Sequence, residues 1–326
     1  MSTPAVSVII PTFERADLLV EALDSVAAQT FTNYEVIVID DGSTEDIAGR
    51  VRDHSTRPRV IRQPHAGPGT ARNRGMAEAR APMVAFLDSD DLWLPTKLER
   101  FMAALATPGV PRIWYGPMSP IDARRQPVRG RTKDCFEGDI TERLFCKSFV
   151  HVPTVVCDRA LLIDAGGFEE SLPVCEDYDL WLRVSAAQRF GLIPEPLALR
   201  RLHDGRLSKS DMSRNVAVKA RMLERFYRSP LGAKKLNRGI AEARLARVYL
   251  AAGRAAFFTA NYFDAAALCA KAREFGGSPL RAGPIRFLSR VLGRVIGNSA
   301  ITARTTHADS MCTKPADCNP SSTSVR

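Results

Sequence analysis

The chain has 326 residues, 45% of them hydrophobic and 25% charged, which is an ordinary globular composition and enough length for one large core or two smaller ones. It contains no run of 18 apolar residues, so no transmembrane helix is expected. The formal net charge of +10 is uneven: residues 200–304 carry 22 Lys and Arg against 6 Asp and Glu, whereas residues 1–199 carry 22 against 28.

Taken in order, Val6-Ser7-Val8-Ile9-Ile10 is an apolar β-branched run and reads as a buried strand. Leu19, Ala22, Leu23 and Val26 follow at helical spacing, with Asp17 as the expected N-cap. Residues 34–39 form a second apolar strand that ends at Asp40-Asp41-Gly42-Ser43. Val60-Ile61 is a short third strand, and 69–80 reads as a helix after Gly67-Pro68-Gly69. Residues 83–87 form a fourth strand, ending in the cluster Asp88-Ser89-Asp90-Asp91. Strands alternating with helices predict an α/β fold, a mostly parallel sheet flanked by helices.

Residues 110–157 read as mixed strands and loops, and Leu161–Ala165 as a short helix stopped by Gly166-Gly167. In "PVCEDYDLWLRVSAAQ" the apolar residues recur at helical spacing, and Glu176, Asp177 and Asp179 crowd the first turn, where the helix dipole favours acids. From about residue 212 the chain becomes rich in Ala, Arg and Leu, with two amphipathic helices expected around Asn261. Residues 284–296 place Ile285, Leu288, Leu292 and Val295 on one side and Arg286, Arg290 and Arg294 on another. Residues 305–326 are rich in Ser, Thr, Asp and Pro and are expected to be disordered. The expected organisation is an α/β domain over 1–210, a basic helical extension over 211–304, and the tail.

In a parallel sheet, ligands bind at the carboxyl ends of the strands. Pro11 to Arg15, Asp40-Asp41 and Asp88 to Asp91 each follow a strand, so all three groups are expected on one rim. Three carboxylates at a strand end repel one another, and a divalent cation offsets that repulsion. Asp90, then Asp91, are the candidate ligands of such a cation, Mn2+ or Mg2+; toward the sugar nucleotide that the family resemblance of the next paragraph implies, Asp41 can accept from a base N–H and Asp88 from ribose hydroxyls. Arg72 is placed to face the nucleotide. Taken alone, "DSDD" also fits a solvated turn and Arg72 a surface position.

The blocks "VSVIIPTFERADLLVEALDSVAAQTFTNYEVIVIDDGSTED", "GPGTARNRGMAEARAPMVAFLDSDDLW" and "GGFEESLPVCEDYDLWLR" together resemble the family 2 inverting glycosyltransferases of GT-A fold, from about residue 5 to about residue 203. The resemblance implies a sugar moved from a nucleoside diphosphate sugar, UDP-linked, to a hydroxyl of a saccharide or lipid-linked acceptor in cell-surface polysaccharide or glycan synthesis. It implies that Asp177, in "CEDYDLW", is the base, with Glu176 binding the acceptor and Asp179 in reserve. It also implies that His203 lies near the metal or diphosphate. Pro11 stands where the family often has a hydroxylated residue and Phe13 where it has Tyr; Phe13 can still stack on a base.

Two other classes fit the sequence less well. A nucleotidyltransferase wants a Gly-rich basic loop after the first strand, and "PTFERAD" has no glycine. A nucleic-acid partner is not expected, because the basic half lacks a reading motif; that half suits an anionic membrane surface better. The opening "MSTPAVSVII" has no basic stretch or cleavage site, and seven cysteines without a C-x-x-C pair suggest reduced thiols. A cytoplasmic location, peripheral at the inner face of the membrane, is the corresponding expectation.

Overall fold

The computed structural model describes residues 3–128, 134–202, 212–278, 283–289 and 291. The chain runs β1 (Val6–Thr12), α1 (Ala16–Ala27), β2 (Tyr34–Asp40), α2 (Ile47–Val51), β3 (Arg59–Arg62), α3 (Pro68–Glu78) and β4 (Met83–Phe86). It continues through β5 (Leu92–Trp93), α4 (Lys97–Leu105), β6 (Ile113–Tyr115), β7 (Met118–Ile121), α5 (Thr141–Cys146), β8 (Val156–Asp158) and α6 (Arg159–Asp164). Then follow α7 (Glu176–Ala187), β9 (Gly191–Leu192), β10 (Ala198–Arg201), α8 (Met212–Arg228), α9 (Pro230–Lys235), α10 (Arg238–Phe258) and α11 (Tyr262–Glu274).

Seven strands form the main sheet in the order β3-β2-β1-β4-β8-β6-β9. β1 pairs in parallel with β2 and β4, and β2 in parallel with β3, while β8 runs antiparallel to β4 and β6. The β-branched runs are buried on both faces because alternate residues point to opposite sides. Val6, Val8, Ile10, Val36, Val38 and Ala85 pack with Leu19, Leu23 and Val26 of α1. Ile9, Ile37, Ile39, Val84 and Phe86 pack on the other side with Phe168 and Trp181. A second sheet, β5-β10-β7, lies beside the acidic cluster.

Two local expectations change. Asp17 is not the N-cap of α1; Arg15 holds that position without a side-chain cap bond, and Asp17 sits in the first turn, 2.9 Å from Arg50. The cap comes from the neighbouring loop instead, where Glu45 accepts from the Ala16 N–H at 2.8 Å. α3 presses closely on β1: a Cβ added at Gly75 would stand 2.3 Å from Ile9 Cγ2, so a larger residue there would force Ile9 to shift. The Gly67 backbone at φ +94° lets the chain turn into α3.

The helical pair expected around Asn261 is α10 and α11, with the Asn261 side chain accepting from the Asp264 N–H at 3.3 Å. The core that holds Phe86 and Trp181 runs on without a break into Leu223 and Phe226 of α8 and Leu245 and Tyr249 of α10. Arg225 on α8 ties to Asp179 on α7 at 2.8 Å, and Lys235 to Asp139 at 2.7 Å. Among the described residues no helix is long and apolar enough to cross a membrane. His203, Arg290, Leu292, Arg294, Val295 and the tail at 305–326 lie outside the described residues.

Candidate active site

β2, β1 and β4 are parallel neighbours, so the loops that follow them emerge along one edge. There they wall a cleft of about 700 Å³. Pro11, Phe13, Arg15, Asp41, Arg72, Asp88, Asp90 and Asp91 line it, and so do Glu176 and Asp177 at the start of α7. Ten of the eleven residues expected at the site are thus brought together from five stretches of sequence; the eleventh, His203, is outside the described residues.

The first two loops lock each other. Glu14 has a left-handed backbone, φ 51°, and its carboxylate accepts from the Thr44 N–H at 2.7 Å and the Thr44 hydroxyl at 3.1 Å. Asp41 binds the loop at 63–67: Oδ1 accepts from Gln63 Nε2 at 2.7 Å and Ala66 N–H at 3.0 Å, and Oδ2 from Gly67 N–H at 2.8 Å. His65 Nδ1 stands 2.9 Å from Asp41 Oδ2, and its ring stacks on Phe13 with centroids 4.1 Å apart. Asp41 therefore fixes an aromatic pair in the cleft wall. His65 carried no signal in sequence, since nothing there places it against Phe13.

The acidic loop is held from both sides. Arg15 Nη1 lies 2.9 Å from Asp90 Oδ2. Arg201, at the end of β10, donates its N–H to Asp91 Oδ1 at 3.1 Å and its Nε to the Asp90 carbonyl at 3.2 Å. Its Nη2 pairs with Glu21. Arg201 is buried and is a positioning residue that the sequence did not reveal. Burial, together with Asp88 and Asp90, pushes the Asp91 carboxyl well above its ordinary value. Arg200, next along β10, lines the cleft and has no acidic partner within 4 Å among the described residues.

Among the described residues no three carboxylate, imidazole or thiolate groups converge on one point. The donor set is nevertheless hard oxygen, two adjacent carboxylates at a cleft. This fits a divalent cation that takes its remaining ligands from phosphate oxygens, as Mg2+ commonly does.

Across the cleft, Cys175 precedes α7 with a left-handed backbone, φ 67°, and turns the chain into the helix. Glu176 Oε1 accepts from Arg72 Nη1 at 2.7 Å, and Arg72 Nη2 reaches Asp88 Oδ1 at 2.7 Å. This Asp88–Arg72–Glu176 chain, buried at Arg72 and Glu176, spans from the end of β4 to α7. Burial alone would loosen the Arg72 proton; Asp88 and Glu176 outweigh it and hold the guanidinium charged. Asp177 is half-buried, and burial first, then the Glu176 charge, push its carboxyl up to about 7, against the pull of Arg72. A carboxylate of that pKa is suited to accept a proton near neutrality. Asp179 faces away from the cleft, clamped between Arg183 and Arg225 at 2.8 Å each.

The strand-end cleft thus has an acidic loop on one wall and a carboxyl of raised pKa on the other. Residues 7–163 match the family model described as Glycosyl transferase family 2. That stretch, just under half of the chain, carries the likeness to this family. An uncharacterized glycosyltransferase of Rickettsia bellii (strain RML369-C) is 31% identical over 199 residues, covering 60% of this chain and 29% of the relative. The chain spans about a third of the length of the first curated relatives it matches. The crystal structure of S. aureus TarS 1–349 in complex with UDP-GlcNAc superposes with a TM-score of 0.60 at 19% identity, over 87% of this chain and 91% of that one. The mannosyltransferase PcManGT from Pyrobaculum calidifontis, in complex with GDP-Man and Mn2+, gives a TM-score of 0.55 at 21% identity, over 92% of this chain and 87% of that one. These two likenesses show the fold.

Proposed function

We propose that this cleft binds a nucleoside diphosphate sugar, UDP-linked, and transfers the sugar with inversion to a hydroxyl of a saccharide or lipid-linked acceptor. The observation that carries this reading is the single cleft joining the acidic strand-end loop to a half-buried Asp177 whose carboxyl titrates at about 7. The UDP-sugar in the TarS complex and the GDP-mannose in the PcManGT complex support a nucleotide-sugar donor.

In this reading the Phe13–His65 pair stacks on the base, Asp88 accepts from ribose hydroxyls, and Asp90 with Asp91 would hold Mn2+ or Mg2+. The cation supplies positive charge to the diphosphate as the bond to the sugar breaks. Arg200 adds a cation from β10. Asp177 takes the proton of the acceptor hydroxyl as that oxygen attacks the anomeric carbon, and Glu176 orients the acceptor. One displacement with one base leaves no covalent intermediate, so configuration inverts. A relative's Mn2+ supports the metal assignment.

A second reading concerns location. Phe258, Phe263 and Phe287 are 79%, 85% and 68% exposed on the basic helical region, which favours contact with an anionic membrane surface. The donor reading is tested by thermal shift with a nucleotide panel, with and without manganese. A ligand of the folded state raises its stability, so UDP with manganese should give the largest shift. Equal shifts for all nucleotides would contradict it.

A further inference from the structure

Lys97 opens α4 with no exposed surface, and no carboxylate stands within 4 Å of its ammonium among the described residues. Its Nζ lies between two rings instead, 4.6 Å from the centre of Trp93 and 4.2 Å from that of Phe101. It also reaches the Thr154 carbonyl at 3.5 Å. The charged groups around it are engaged elsewhere. Glu99 and Arg100 on the same helix are exposed and bound to Thr30 and Glu195, and Asp91, two positions before Trp93, accepts from the Arg201 N–H. Burial alone pushes the Lys97 ammonium down to about 7. A charge so weakly compensated costs stability that a methionine of similar volume would not.

Its contacts converge on one wall of the cleft. A short 3-10 turn, Val152–Thr154, leads into β8. Trp93 Nε1 donates to the Pro153 carbonyl at 2.9 Å, and Lys97 takes the next carbonyl, that of Thr154. Both side chains leave the chain just after the acidic loop, so they tie the turn to its exit. β8 runs antiparallel to β4, with Ala85 opposite Val156, so the turn stands at the rim where β4 ends. In sheet order it lies beyond β4, on the side away from β1 and β2. His151, Val152 and Pro153 line the cleft there, whereas Lys97 does not. With the base over β1 and β2 and the ribose at the end of β4, the sugar of the donor comes to lie beside this turn.

We infer that Lys97 is a positioning residue: its ammonium, enclosed by Trp93 and Phe101, holds the turn at 151–154 as the wall of the sugar subsite and so sets which sugar the cleft accepts. The inference rests on the donor reading. Lys97 acts through Trp93 and the turn, without touching the sugar itself.

The chain has three tryptophans, at 93, 114 and 181, so a proton–nitrogen NMR spectrum of the full chain carries three indole signals. Methionine fills the Lys97 volume without the charge. In K97M the Trp93 indole N–H should exchange with solvent about tenfold faster, the scale of one lost hydrogen bond, as its bond to Pro153 opens. The Trp114 and Trp181 signals should stay in place, and the melting temperature should not fall. By calorimetry with manganese, K97M should keep the parent's UDP affinity and lose its preference among UDP-glucose, UDP-galactose and UDP-N-acetylglucosamine. A second measurement serves if K97M does not fold. In the parent, raising the pH through about 7 removes the ammonium proton and should move the Trp93 signal alone. His151 on the turn and Asp177 across the cleft are the other titratable groups there, so the step should survive in H151Q and in D177N. An unmoved Trp93 signal in K97M, or all three signals moving with a lower melting temperature, overturns the inference. So does a parent signal flat across that pH range, or a sugar preference that is absent in the parent or kept in K97M. If UDP does not bind at all, the donor reading fails, and the indole comparison still decides whether Lys97 holds the turn.

Discussion

Arg72 and Glu176 lie 104 positions apart in the chain and 2.7 Å apart in the fold. With its other nitrogen Arg72 holds Asp88, so one guanidinium joins the donor wall of the cleft to the acceptor wall. Removing it leaves two acids without their cation in a site largely closed to water. Arg72→Met should cost about 3 kcal/mol of stability, at the lower end for a broken buried pair because Asp88 is partly exposed. Arg72→Lys, which can reach only one of the two acids, should fall between. Denaturant melts check this, and a loss under about 0.5 kcal/mol, the size of a surface change, would contradict it.

The elevated carboxyl of Asp177 sets a direction with pH. Protonated, it cannot take a proton, so kcat/KM should rise with pH through about 7 and then level off. Glu176 contributes to the elevation and Arg72 opposes it, with Asp88 also raising it. Glu176→Gln removes a like charge and should move the acid limb to lower pH; Arg72→Met should move it to higher pH. A limb that stays in place in both variants would show that another group titrates.

Asp90 faces Arg15 at 2.9 Å and stands beside the elevated Asp91. Asp90→Asn should weaken UDP binding sharply in manganese and leave binding in EDTA nearly unchanged. Titration calorimetry reads both. Equal affinity with and without manganese in the parent protein would remove the metal from the account.

The exposed Phe258 and Phe263 flank the turn between α10 and α11. Each phenylalanine moved from water into a bilayer contributes about 1.5–3 kcal/mol. The F258S/F263S variant should therefore float less with phosphatidylglycerol vesicles than the parent, and neither should float with neutral vesicles. Equal flotation of parent and variant would place any membrane contact elsewhere.

The sheet was legible because Val6–Ile10, Val36–Ile39 and Val84–Leu87 are apolar on both faces, which only a covered parallel strand explains. Their parallel order then predicts one shared rim. The partners that tune the rim were not legible. Nothing in "LALRRLH" separates Arg201, buried and stitched to Asp90 and Asp91, from Arg200, which lines the cleft. Asp177 and Asp179 look alike in "CEDYDLW"; only the position of Arg183 and Arg225 turns the second into a structural clamp. Asp17 reads as a cap because the sequence cannot show Glu45 arriving from another loop to do that work. Contacts made across the fold by long polar side chains leave no periodic trace.

The most direct measurement compares Asp177→Asn with the parent for two quantities at once, UDP affinity and the rate of sugar transfer. Asparagine keeps the shape of the side chain and removes its basicity. Transfer should fall roughly 10²–10⁴-fold while UDP affinity stays the same. An Asp177→Asn protein that transfers sugar at the parent rate would contradict the account.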